Sequence, residues 1–168
     1  EVPPGITISS LYEDRNKTIW VGTHGRGVYY FNREKQIKGQ LVNDLTNRNS
    51  LPTDYINGIF EDHAGNLWFA TEGGGLSQLG PARKQFIRYM TRNGLPSNYI
   101  YKVVEDDRHQ LWVSTSKGLV CFNPVTRRMV VYTKSNGLPS DHFNYNSGFK
   151  DAKGTLYFGS IKGMITFR

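Results

Sequence analysis

Glu13 and Asp14, Glu61 and Asp62, and Glu105 and Asp106 are three pairs of neighbouring carboxylates, a residue type that does acid and base work when two converge on one bond. The spacing forbids it within a pair, because adjacent residues of an extended chain point to opposite faces. A carboxylate where a strand ends suits the following turn instead, accepting bonds from its backbone N–H groups. His24, His63, His109 and His142 lie in four different stretches without short ligand spacing, so no metal site is expected. Ser114 and Ser160 have no nucleophile-elbow pattern around them. The glycines of "TEGGGL", Thr71 to Leu76, look like a phosphate loop, but neither a helix nor a Lys-Ser/Thr step follows. The sequence therefore predicts no catalytic residue and no cofactor.

The same residues recur in a pattern that must position them. Trp20, Trp68 and Trp112 open "WVGTHGRGVYYF", "WFATEGGGLSQL" and "WVSTSKGLVCF", and Tyr157 opens "YFGSIKGMITF"; the steps between them are 48, 44 and 45 residues. An acidic turn precedes each aromatic: "EDRNKTIW", "EDHAGNLW", "EDDRHQLW" and "KDAKGTLY". Within a unit the apolar residues alternate with period two, as strands require. In the third unit "YIYKVVED", "LWVST", "GLVCFN" and "MVVYT" read as four antiparallel strands joined by tight turns, with glycines where positive φ is needed. The connection to the next unit is "NGLPS" at Asn93–Ser97 and again at Asn136–Ser140, with "NSLPT" at Asn49–Thr53 as a third version. Four-stranded units of this length in tandem predict an all-β fold, a β-propeller fragment of about four blades. The blades would be residues 1–48, 49–92, 93–135 and 136–168, the last lacking its outermost strand. Each Trp is expected to pack between neighbouring sheets.

Composition agrees. At 168 residues, 38% hydrophobic and 13% aromatic, the chain can build a core, and its apolar residues are mostly strand formers. The formal charge of +7 leans toward acidic partners, but the basic residues are dispersed and form no stripe beside the aromatics, so nucleic acid binding is not expected. Cys121 sits in an apolar strand pattern and reads as a buried structural thiol. There is no apolar run of membrane-spanning length and no signal-peptide pattern, and the start at Glu1 suggests an excised piece.

The stretch "LPSNYIYKVVEDDRHQLWVSTSKGLVCFNPVTRRMVVYT" resembles the two-component regulator propeller repeat of sensor proteins in gut and environmental Bacteroidetes. Leu-Pro, the acidic turn, Leu-Trp, the Gly-Leu step and Phe-Asn-Pro occur in the family's order. The resemblance implies a piece of the periplasmic region of a hybrid two-component histidine kinase, anchored in the inner membrane, with an immunoglobulin-like domain following the second propeller. In the last unit Phe143, Asn144 and Tyr145 interrupt the usual alternation and Tyr157 replaces Trp, which resembles the terminal blade before that domain. The third acidic turn carries Arg108, His109 and Gln110 where a glycine is usual, leaving its conformation open. The implied ligand is an oligosaccharide whose detection regulates polysaccharide-utilisation genes. This fragment would itself be no enzyme, although a propeller lyase or an interaction scaffold is the alternative.

Propeller geometry places the candidate site. The connections into first strands share one end with the turns between second and third strands. That end gathers His24, Arg26, Glu72, Lys117 and Lys162 with the residues after each Leu-Pro: Thr53, Asp54 and Tyr55; Ser97, Asn98 and Tyr99; Asp141, His142 and Phe143. Arg26, Asp54, Tyr55, Glu72, Asn98, Tyr99, Asp141 and His142 are the ligand-binding candidates, because sugars want paired polar partners and an aromatic platform. The competing expectation is that these side chains satisfy their own loops. The charge tips the expected ligand toward an acidic glycan. Open blade edges predict self-association, with a closed four-bladed ring as the alternative.

Overall fold

The computed structural model describes residues 2–168. Fifteen strands form among them: β1 (Ile8–Glu13), β2 (Ile19–Thr23), β3 (Val28–Asn32), β4 (Ile37–Leu41), β5 (Ile56–Glu61), β6 (Leu67–Thr71), β7 (Leu76–Leu79), β8 (Phe86–Tyr89), β9 (Ile100–Glu105), β10 (Leu111–Thr115), β11 (Gly118–Phe122), β12 (Met129–Tyr132), β13 (Phe143–Lys150), β14 (Leu156–Ser160) and β15 (Gly163–Phe167). They make four antiparallel meanders, β1–β4, β5–β8, β9–β12 and β13–β15, so the last sheet has three strands as its short sequence requires. The first strands β1, β5, β9 and β13 pack successively against one another, which is how propeller blades stand around an axis.

The core lies between blades. Trp68 and Phe122, both inaccessible to solvent, meet edge-to-face at 5.7 Å, while Trp20 approaches Phe69 at 6.3 Å and Trp112 approaches Phe167 at 4.4 Å. Each second-strand Trp thus packs on the following blade, as its repetition implied. Its indole N–H also has a fixed partner: Trp20, Trp68 and Trp112 donate Nε1–H to Oδ2 of Asp14, Asp62 and Asp106 at 2.9, 2.7 and 2.9 Å. In the last blade the Tyr157 hydroxyl donates to Asp151 at 3.0 Å, so tyrosine keeps the bond that the missing indole would make.

The acidic turns work as the sequence implied. Asp14 Oδ1 accepts the N–H groups of Asn16 and Thr18, and Asp106 Oδ1 those of Arg108 and Gln110. His109 has φ 60°, matching Lys17 at 63°, Gly65 at 84° and Gly154 at 83°. The third turn therefore keeps the left-handed conformation without its glycine. Between blades, the Asn of "NGLPS" ends a single 3-10 turn, Thr91–Asn93 or Lys134–Asn136, and its Gly94 or Gly137 closes that turn at φ 109° or 95°. "NSLPT" has no glycine there. Ser50 instead donates its hydroxyl to Asn47 O, and Arg88 donates to Ser50 O at 2.8 Å and to Leu51 O at 3.2 Å, holding a longer loop in place.

Cys121 is half-buried rather than buried, lining an open depression with Gln110, Asn123, Arg128 and Val130; partial burial still pushes its thiol up, away from the reactive thiolate. Among the described residues no helix is long and apolar enough to cross a membrane.

Candidate functional site

The end of the blades carrying the Leu-Pro connections is assembled by backbone bonds. Each turn between a second and third strand hands its N–H groups to the connection entering the next blade. Gly25 and Gly27 donate to Asp54 O, Gly73 and Gly75 to Asn98 O, and Gly118 to Asp141 O. Gly75 has φ 76°, and a Cβ there would stand 2.2 Å from Tyr89 O, so the close approach demands glycine.

The candidate side chains divide into two groups. Asp54, Asn98 and Asp141 turn back into the loop: their Oδ1 atoms accept the N–H of Asn43, Thr91 and Lys134 at 2.6, 2.9 and 2.6 Å. These three are loop-satisfying residues in the structure. Tyr55 and Tyr99, one position on, are free of that duty and are 51% and 47% exposed. Their rings stand over turn glycines of the preceding blade, with Tyr55 3.5 Å from where a Gly25 Cβ would lie and Tyr99 3.9 Å from that of Gly73. His142, the third member, is exposed with its ring 5.7 Å from Tyr101. Arg26 is exposed beside His24, Tyr29, Gln40 and Tyr55 around an open depression of about 560 Å³.

Glu72 is the polar centre. Its Oε2 accepts Asn57 Nδ2 at 2.8 Å, and the Tyr145 hydroxyl donates to Oε1 and Oε2 at 2.9 and 3.1 Å. Asn57 also donates to Ile100 O at 2.9 Å, and its Oδ1 lies 3.1 Å from His24 Nε2. Tyr145 reaches across from the last blade because β13 shifts register between Phe143 and Gly148, where five residues oppose a two-residue step of β14. This bulge pushes residues 144–147 into the channel, with Asn146 at φ 52° and its Nδ2 donating to Ser9 O at 3.4 Å. Placement of the Tyr145 hydroxyl in the channel and its bonds to Glu72 push its pKa far above the ordinary tyrosine value. The phenol stays neutral and donates. Burial likewise raises Tyr101, whose ring is 4.5 Å from that of Tyr145, and lowers the half-buried Lys102.

Asn57, Tyr101 and Tyr145 were not candidates from sequence, yet for the first two a signal exists. Counting four back from Glu13, Glu61, Glu105 and Lys150 gives Ser9, Asn57, Tyr101 and Asn146, the polar channel position of each first strand. The first three of those strands are otherwise largely apolar there. At the opposite end the turns of adjacent blades are joined by a repeated bond, in which Arg15 N donates to Glu61 Oε2 at 2.8 Å and His63 N to Glu105 Oε2 at 2.9 Å. The third junction reverses the charges, Lys150 Nζ donating to Asp107 at 2.8 Å. Stacking of equivalent turns also brings His63 and His109, 46 residues apart in the chain, face to face, 3.6 Å apart.

Four-stranded meanders stacked around a polar channel define a stretch of β-propeller. Residues 3–25, 50–73 and 94–117 match the model of the two component regulator propeller, one match at the start of each of the first three blades. It is similar to "Histidine kinase P4" of Formosa agariphila, 36% identical over 75 residues, covering 44% of this chain and 6% of that protein. Among solved structures it is similar to the extracellular domain of the hybrid two component system BT4673 from B. thetaiotaomicron, with TM-score 0.78 and 25% identity over 96% of this chain and 22% of the other. Virginiamycin B lyase from Staphylococcus aureus shares the fold at TM-score 0.72 and 16% identity, covering all of this chain and 57% of the lyase. The chain thus spans a small part of its two-component relatives.

Proposed function

We propose that this chain is part of the extracytoplasmic sensory region of a hybrid two-component histidine kinase, and that its channel mouth takes part in binding an oligosaccharide. The family and the likeness to an extracellular domain of such a system support the location and the sensory role. The observation that carries the ligand class is the pair of half-exposed rings, Tyr55 and Tyr99, flanking a carboxylate that already accepts bonds on both oxygens. Flat aromatic faces stack on sugar rings, and Glu72, Arg26 and His142 offer polar partners of both kinds for hydroxyls. The charge of +7 favours an acidic glycan. Ligand held between blades would favour one arrangement of the periplasmic region over another, and so alter kinase output and the polysaccharide-utilisation genes it regulates.

The lyase likeness invites an enzymatic reading, but at 16% identity it is a likeness of fold and carries no catalytic residue to this chain. The test is a thermal-shift and calorimetric screen of neutral and acidic oligosaccharides against the chain. The expected result is binding without chemical change of the sugar, weakened in Tyr55→Ala and Tyr99→Ala. Cleavage of a panel member would favour the lyase; silence across the panel would end the sugar reading.

A further inference from the structure

The rim opposite the mouth carries a cluster that the sensory reading does not use. Glu105 Oε1 faces two imidazoles at once, lying 2.5 Å from His63 Nδ1 and 3.3 Å from His109 Nδ1. The three ligand-type atoms all lie within 4.8 Å of one another. The two rings stack at 3.6 Å with 24° between their planes. Glu105 is held in place from behind, because its other oxygen accepts the His63 backbone N–H at 2.9 Å and its side chain is only 12% exposed. The histidines are more exposed, so the open side of the cluster faces solvent.

We propose that His63, Glu105 and His109 form a binding site for a divalent transition-metal ion of the zinc class, clipping the acidic turns of the second and third blades together. Two imidazole nitrogens and one carboxylate oxygen, with a fourth position left to water, are a donor set that zinc accepts. Ligand atoms about 2.0–2.2 Å from such an ion stand roughly 3.3 Å apart, so binding requires the 2.5 Å His63–Glu105 contact to open and the two exposed, stacked rings to turn until both Nδ1 lone pairs aim at one point. The backbone bond to Glu105 supplies the supporting contact that fixes a ligand carboxylate. The choice of residue at 109 points the same way. Its φ of 60° is a conformation where the second and fourth turns carry glycine, and histidine there aims Nδ1 at the carboxylate of its own turn's strand. Binding to the imidazoles displaces any proton on the Nδ1 atoms and ties together residues 46 positions apart in sequence.

The test is calorimetric titration of Zn²⁺ into the untagged, metal-stripped chain, with unfolding midpoints measured alongside. His109→Gly is the informative variant, since glycine suits the backbone there and the protein should fold at least as well. The expected result is one zinc per chain and a raised midpoint in the wild type. Affinity should fall by about tenfold or more in both His109→Gly and His63→Ala. Zinc binding of unchanged strength in both variants would overturn the proposal, as would a wild type whose heat and midpoint ignore submillimolar zinc.

Discussion

The two ends of the blades are built from one repeat and put to different uses. At the acidic-turn end, Asp14, Asp62, Asp106 and Asp151 do the same work four times, capping a turn with one oxygen and holding an aromatic donor with the other. At the mouth, repetition stops one residue after the loop is satisfied. Asp54, Asn98 and Asp141 still serve the backbone, but Tyr55, Tyr99 and His142 stand clear of it. The position that carries the backbone bond is Asp, Asn and Asp, each an Oδ1 acceptor, and the position freed from it is Tyr, Tyr and His, each an exposed ring. The division therefore separates fold from site within single loops.

The largest break should come from the acidic-turn end. Asp62→Ala leaves the N–H groups of Asn66 and the indole of Trp68 without their acceptor in a buried setting, and is expected to cost about 3 kcal/mol or more in urea unfolding. The mouth then offers a direct contrast between neighbours. Asn98→Ala should cost about 1 kcal/mol by freeing the Thr91 N–H, whereas Tyr99→Ala should leave unfolding nearly unchanged and act on ligand binding.

Acid should discriminate the last blade. The hydrogen bond from Lys150 holds the Asp107 carboxyl below its ordinary value, and the Thr155 backbone N–H does the same for Asp151. Their folded values lie below the unfolded value of about 3.9, so the stabilisation is complete above that pH and is lost as pH falls through the folded values. An acid unfolding series should show this loss, and Asp107→Asn should reduce it. The smallest effect is expected inside the sheets. The Ser114 hydroxyl is buried without a partner, so Ser114→Ala should be neutral or stabilise by up to about 1 kcal/mol.

Much of the fold was legible because period-two alternation, turn glycines and Leu-Pro punctuation are local signals. The Trp of each second strand announced inter-blade packing by recurrence alone. The mouth was legible as a region, since topology fixes which loops share an end, but not as a constellation. Glu72 meets Tyr145 only because β13 bulges into the channel, and nothing in "HFNYNSG" states how far the bulge reaches. The proximity of His63 and His109 was hidden for a related reason: spacing along the chain does not show that stacked repeats bring equivalent turns together across 46 residues. The outward apolar residues of the first and last blades, Leu11 at 68% and Phe149 at 63% exposed, keep self-association through those faces as an expectation for sedimentation to check.

The central claim is that the mouth binds sugar through side chains the fold does not need. Calorimetric titration of the oligosaccharide panel into the wild type, Tyr99→Ala and Asn98→Ala chains tests it most directly. The account predicts a bound oligosaccharide whose affinity drops about fivefold to tenfold in Tyr99→Ala, with an unchanged unfolding midpoint. Equal affinity in the wild type and Tyr99→Ala, or no binding by the wild type, would contradict it.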